Sequence, residues 1–91
     1  MFHAMKGTFV SAEEMSCEVL NTKHAKVAGA IVACRTYVKA APDTSGSIQF
    51  AWVVDSELGT RVSNVFKSVS VVTSDCAAAI ESFTAENSHK A

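Results

Sequence analysis

A regular alternation near the middle of the chain limits the fold more than any other feature. Between residues 48 and 55, every second position holds a large apolar side chain. These positions are Ile48, Phe50, Trp52 and Val54. A period of two is that of a β-strand with one strongly apolar face. Because one strand cannot bury such a face alone, the rest of the chain must supply partner strands and a covering layer.

The residues available for that covering layer are mostly small. Hydrophobic residues make up 48% of the 91 residues and charged residues 19%, a balance that excludes an intrinsically disordered chain. The apolar set includes 14 Ala and 12 Val but only five Leu and Ile together. Such residues bury little apolar area each. Either the elements pack very closely, or a partner supplies the missing burial.

The first half of the chain is predicted to be helical over residues 11–40. Ser11 and Glu14 fit a capping box, in which each side chain bonds the backbone N–H near the other residue. A spacing of three and four then continues through Cys17, Leu20, His24, Val27, Ile31, Cys34 and Val38. The helix is either continuous or broken at Asn21-Thr22, since both residue types prefer caps and turns. A rival interpretation makes residues 30–39 a strand, because β-branched residues are frequent there.

The second half is predicted to form antiparallel strands over residues 47–73. The loop before them contains the one proline of the chain, Pro42, and Gly59 marks a turn after the first strand. Residues 58–66 fit either a helix or a strand. We favour a strand from about Val65 to Thr73, paired with the first as a hairpin.

A last helix is predicted over residues 75–88, capped by Ser74-Asp75. Its buried face consists of Cys76, Ala79, Ile80 and Phe83. The expected fold is therefore a single α+β domain of two layers, with both helices on one side of a hairpin or small antiparallel sheet. Its segments are residues 1–10 as a lead-in or edge strand, 11–40 as helix, 47–73 as strands and 75–88 as helix, within one domain over 1–91.

Charge and cysteine usage restrict the compartment and the partners. The net charge of −1 argues against a general nucleic-acid binder and against a polybasic membrane protein. No signal peptide and no transmembrane run of about 18 apolar residues is visible. The chain has three cysteines, Cys17, Cys34 and Cys76. Three cysteines cannot all pair within one chain, and no two of them have CxxC spacing, so we expect reduced thiols in a cytoplasmic protein.

A histidine flanked by lysines is the first candidate site. If a helix restarts near residue 24, His24 lies at its N-terminus, where backbone N–H groups can bind an anion together with Lys23 and Lys26. Residues 21–28 resemble the active-site turn of histidine phosphocarrier proteins, in which a histidine precedes a basic residue, a proline and small residues. The resemblance implies phosphoryl transfer through His24. Val27 stands where that family has its proline.

Cys76 is the second candidate, as a nucleophile. It falls in the first turn of the last predicted helix, where the helix dipole favours a thiolate, although the adjacent Asp75 opposes it. Only His24 or His89 is available as its base. The alternative is a packed core cysteine.

Metal and nucleotide sites lack their usual signatures. No Cys or His pair has the close spacing of structural zinc ligands, and neither a GxGxxG motif nor a P-loop is present. We therefore predict no metal and no cofactor.

The function expected from these features is that of a small non-catalytic module. It would act as a homo-oligomer, a homodimer in the simplest case, and bind a protein or small ligand. The expected interface residues are Ile31, Val38, Phe50 and Trp52. A small enzyme or phosphoryl carrier using His24 or Cys76 is the alternative. A nucleic-acid-binding regulator is third: residues 23–39 carry four basic side chains, but only Tyr37 is available there to stack on a base.

Overall fold

Four strands form one antiparallel sheet in the computed structural model, which describes residues 1–41, 47–69 and 73–86, with the backbone alone at 21–23 and 86. The elements along the chain are β1 (Phe2–Ser11), β2 (Glu14–His24), α1 (Val27–Ala40), β3 (Ile48–Asp55), β4 (Phe66–Lys67) and α2 (Ser74–Glu86). The strand order is β2-β1-β3-β4. The mixed α+β class is confirmed, whereas the predicted N-terminal helix is not, because the chain begins with strands.

Residues 11–24 form a hairpin turn and strand β2 instead of the start of a helix. Ser11 pairs with Glu14 across the turn, so the residues of the proposed capping box close a β-hairpin. Met15 and Cys17 alternate with Ser16 and Glu18, which is a strand period that the helical reading overlooked. Pairing with β1 selects the strand period over the helical one, because it gives the backbone groups of both strands hydrogen bonds to each other.

Strand β1 lies in the middle of the sheet, not at its edge. It pairs antiparallel with β2 on one side and with β3 on the other. Residues 1–10, predicted as a lead-in or edge strand, therefore carry the central pairing of the fold. The larger apolar side chains of β1, Phe2, Met5, Phe9 and Val10, are not spaced at a regular interval of two, so the sequence does not show a clear strand period.

Helix α1 settles the uncertainty over residues 30–39 in favour of the helix. It runs from Val27 to Ala40, and Lys26 is its N-cap, without a side-chain capping hydrogen bond. Ala30 and Cys34, one turn apart, are fully buried. Burial at this spacing fits a helix against a sheet and overrides the local β propensity of the segment.

The segment after β3 is largely irregular. Asp55 closes a turn by accepting hydrogen bonds at Oδ1 from the backbone N–H groups of Glu57 and Leu58, and these bonds lower the pKa of its carboxyl group. Gly59 completes the turn with φ of 71°, a conformation that favours glycine. Of residues 58–66, Arg61 forms an isolated bridge with Val54, and Phe66 begins β4. Among the described residues of the predicted strand over 65–73, only β4 is strand, and residues 70–72 and Pro42 lie outside the described part of the chain.

Helix α2 begins one residue earlier than expected. The hydroxyl of Thr73 accepts a hydrogen bond from the backbone N–H of Cys76 at 3.3 Å, so Thr73 is the cap and not Ser74 or Asp75. The predicted buried face is confirmed: Ile80 is fully buried, and Cys76, Ala79 and Phe83 pack beside it. Residues 87–91, including the expected helix end and His89, lie outside the described residues.

The two helices cover opposite faces of the sheet. Phe50, Trp52 and Val54 of β3 pack with Ile80 of α2. The alternate residues of β3, Ala51 and Val53, pack instead with Ala30 and Cys34 of α1. Since successive strand residues point to opposite faces, α1 and α2 lie on different sides, and the molecule has three layers where two were predicted.

The two faces of the sheet differ in side-chain size. The face under α1 is built from Ala4, Ala51 and Val53, so the helix backbone approaches the strands closely. The face under α2 is aromatic: the rings of Phe50 and Trp52 stack with centroids 5.5 Å apart, and Phe83 meets Phe50 edge-on at 6.0 Å. The abundance of alanine thus builds one helix–sheet layer, and the few large residues build the other.

Candidate functional site

The structure brings His24 to the first turn of α1. His24 is the last residue of β2, and a Cβ added to Gly29 would lie 3.3 Å from its Nδ1. Its Nε2 is buried and has no hydrogen-bond partner among the described residues. The side chain of Lys26 is exposed at the N-cap, and the side chain of Lys23 lies outside the described part of the chain. The predicted anion site is therefore adjacent to a helix N-terminus, with one ring nitrogen of its histidine enclosed.

Cys76 and His24 lie on opposite sides of the sheet. Cys76 is half-buried beside the aromatic cluster on the α2 face. His24 adjoins α1 on the other face. The sheet separates the two side chains, so His24 cannot serve as the base for a Cys76 nucleophile. The pairing of Cys76 with His24 is wrong for this reason, and the alternative base, His89, lies outside the described residues.

Two of the four expected interface residues are inaccessible within one chain. Phe50 and Trp52 are fully buried beneath α2. These two side chains therefore cannot contact a second copy, because α2 of the same chain covers the apolar face of β3. Ile31 and Val38 are half-buried beside the α1 face and do not form an exposed patch.

The outer edge of β2 is a feature that the sequence analysis missed. This strand of 11 residues pairs with β1 on one side, and no other strand among the described residues pairs with it on the other. Val19, near its centre, is 42% exposed. Unpaired N–H and C=O groups along a strand edge are a template for a further strand. The alternation of residues 15–18 was the sequence signal, but the helical spacing through Cys17 concealed it.

A polar cluster adjoins this edge on the α1 face. Lys6 Nζ lies 3.0 Å from Glu18 Oε1 across the β1–β2 pair and 5.5 Å from the centre of the Tyr37 ring. The hydroxyl groups of Thr8 and Tyr37 both donate to Gln49 Oε1, at 2.9 and 3.0 Å. Hydrogen bonding and charge attraction from Glu18 raise the pKa of Lys6.

The pocket at this cluster measures about 260 Å³. Its charged groups are already matched to one another, because the ammonium of Lys6 is held by Glu18 and the Tyr37 ring. The network ties the end of α1 to β1, β2 and β3. It serves to fix the edge strand in place and offers little unmatched charge to a ligand.

The three cysteines are thiols, and none of the described cysteines forms a disulfide. Burial raises the pKa of Cys17 and raises the pKa of Cys34 to about 11. Both shifts favour the neutral thiol over the reactive thiolate. In the described part of the chain, no group of three His, Cys, Asp or Glu side chains is arranged to hold a metal ion.

Neither α1 nor α2, within the residues that the structure describes, has the length and apolar character needed to cross a membrane. A comparison with protein-family models, with curated proteins and with solved structures finds no match to this chain.

Proposed function

We propose that this protein is a small non-catalytic module that acts through self-association. In this proposal, β2 of one copy pairs antiparallel with β2 of a second copy, so that the two sheets become one continuous sheet. The single observation that carries the proposal is the long outer edge of β2, which no described strand covers. Pairing would satisfy backbone groups that otherwise depend on water.

The charge pattern of β2 supports a second copy as the partner. The acidic residues Glu13 and Glu14 stand at its start, and His24 and Lys26 stand at its end. In an antiparallel pair related by a two-fold axis through Val19, the start of β2 in one copy lies beside the end of β2 in the other. The acidic start of each β2 then lies beside Lys26 of the other copy, and opposite charges across a strand pair are stabilising.

The centre of the same pairing is apolar. Val19 would face Val19 of the second copy, and each is 42% exposed in the single chain. A β-branched pair at this position contributes about 0.2–1 kcal/mol relative to alanine. Val19 at the centre, with Glu14 at the start and Lys26 just beyond the end, therefore makes this edge complementary to a second copy of itself.

We place the module in the cytoplasm, where reduced thiols persist. Three thiols without a disulfide in this small domain support that location. Its binding partners, beyond a second copy, would be a protein or a small ligand.

Sedimentation velocity over a range of protein concentrations tests the proposal. The wild-type protein is expected to sediment as a dimer. Val19→Lys is expected to give a monomer, because two ammonium groups would face each other at the two-fold axis. Val32→Lys is the matched control, since Val32 is 62% exposed on α1 and away from the β2 edge, and it should remain a dimer.

Circular dichroism of each variant establishes that it is folded before its mass is interpreted. A folded wild-type monomer at all concentrations would contradict the proposal. If V19K forms a dimer as stable as that of V32K, the two copies associate through another surface, and this result would also contradict pairing through β2.

A further inference from the structure

A groove at the opposite edge of the sheet, beside β4, has the chemistry of a ligand site. It is an open groove of about 590 Å³ between α1 and the segment that follows β3. Its lining residues are Ile31, Arg35, Arg61, Val62, Ser63, Asn64 and Phe66. This volume lies within the roughly 300–1,000 Å³ of small-molecule sites.

The charge of the groove comes from Arg35. Its guanidinium carbon lies 5.7 Å from the centre of the Phe66 ring, which is a cation–π arrangement. Arg35 is exposed, and none of the described salt bridges includes it. None of the described lining residues is acidic. Arg35 therefore supplies a positioned donor without a matching carboxylate.

The second arginine of the lining is engaged elsewhere. Arg61 contacts Glu81 of α2 at 2.7 Å and the Thr84 hydroxyl at 3.4 Å. It contributes to the wall of the groove, while its charge is neutralised from the α2 side. The positive charge that a ligand meets is thus concentrated at Arg35.

The wall opposite α1 is held in position by hydrogen bonds to the backbone of β3. The Val62 N–H donates to the Val53 carbonyl, and the Ser63 hydroxyl accepts from the Val53 N–H at 2.9 Å. These bonds fix residues 62–64 against the sheet, so the exposed Asn64 is presented from a supported segment. A wall of this kind needs little reordering on binding, which favours affinity.

From these contacts we infer that the groove binds a small organic anion with a flat apolar body. Ile31, Val62 and Phe66 provide an apolar floor, and Arg35 provides a planar guanidinium at its rim. An oxyanion group accepts two parallel hydrogen bonds from such a guanidinium, while an aromatic body packs on the floor. Carboxylate and phosphate share this chemistry.

Titration of the ¹⁵N-labelled protein with benzoate and with phenyl phosphate, followed by NMR, tests the inference. Probes of this size are expected to bind in the millimolar range. The amide signals of residues 62–64 and of Ile31 should shift with saturation. Benzyl alcohol lacks the charge and inorganic phosphate lacks the apolar body, so each should bind at least fivefold more weakly. The stronger of the two aromatic probes identifies the preferred oxyanion.

Two variants separate this groove from general charge attraction. Arg35→Gln is expected to weaken binding about tenfold, whereas Lys39→Gln, which removes another exposed cation of α1, should leave it unchanged. Shifts that do not saturate, or equal losses in R35Q and K39Q, would overturn the inference. So would binding of benzyl alcohol as strong as that of benzoate.

Discussion

At the scale of single residues, Gly7 shows how closely the strands and the aromatic cluster are fitted. The Phe50 ring lies directly over the Gly7 backbone in the β1–β3 pair. A Cβ at Gly7 would come within 2.5 Å of Phe50 Cζ and 2.8 Å of the Ser16 carbonyl oxygen. Absence of a side chain is therefore a packing requirement at this position.

Gly7→Ala is expected to destabilise the protein by about 2 kcal/mol, because a buried ring and the backbone of β2 must both move. Gly29→Ala is the matched control. Its added Cβ meets only the His24 ring, at 3.3 Å, and alanine improves helix propensity by up to about 1 kcal/mol. Urea denaturation measures both. Equal destabilisation of G7A and G29A would show that the Phe50 contact is not decisive.

Cys34 links the packing of α1 to pH. The thiol is fully buried, and burial raises its pKa from 9.0 to about 11. In the unfolded chain the thiol ionises first, so the unfolded state loses a proton that the folded state keeps. The resulting stability is complete below pH 9 and decreases as the pH rises to about 11, by about 2 kcal/mol.

Urea denaturation at a series of alkaline pH values measures this decrease. Cys34→Ala is expected to be less stable at neutral pH because of the cavity it leaves, but its stability should fall less between pH 9 and 11. Parallel pH profiles for wild type and C34A would assign the alkaline decrease to other groups.

At the scale of elements, the structure caps α2 with Thr73, whereas the sequence suggested Ser74-Asp75. Thr73→Ala removes the hydroxyl that accepts from the Cys76 N–H and is expected to cost about 1 kcal/mol. Ser74→Ala changes the neighbouring residue inside the helix and should change stability by less than about 0.5 kcal/mol. Thermal unfolding compares the two. A larger loss in S74A than in T73A would show that Ser74 is the cap.

The elements also show what the sequence could and could not predict. The strand at β3 and the buried face of α2 follow from local periodicity, and both are confirmed. β2 could not be assigned in the same way, because Cys17 satisfies both a helical and a strand spacing. Only the pairing of Lys6 with Glu18 across two strands removes the ambiguity, and such long-range pairing is not visible in a single local window.

The candidate site was missed for the same physical reason. An exposed strand edge exists only once the strand order is known, and reading residues 11–26 as helix removes the edge altogether. Trp52 shows the opposite error, in which a buried residue was expected at an interface. Its size suggested an interface, but it is fully buried beneath α2. Burial within one chain and burial between two chains have the same sequence signature.

At the scale of the whole molecule, the proposed self-association would make stability depend on protein concentration. If unfolding separates two paired copies, the midpoint of thermal unfolding rises with concentration by mass action. We therefore expect differential scanning calorimetry to show this rise for the wild type and for V32K, and to show its absence for V19K. A wild-type midpoint that is independent of concentration would contradict dimeric unfolding.

The unequal sizes of the two sheet faces also have an evolutionary consequence. Under α1, where Ala4, Ala30 and Ala51 meet, any larger side chain acts as a wedge between helix and sheet. Under α2, where Phe50 and Trp52 fill the space, any smaller one leaves a void. Substitutions that this protein tolerates are therefore expected to keep side-chain volume below an upper limit on the α1 side of the sheet and above a lower limit on the α2 side.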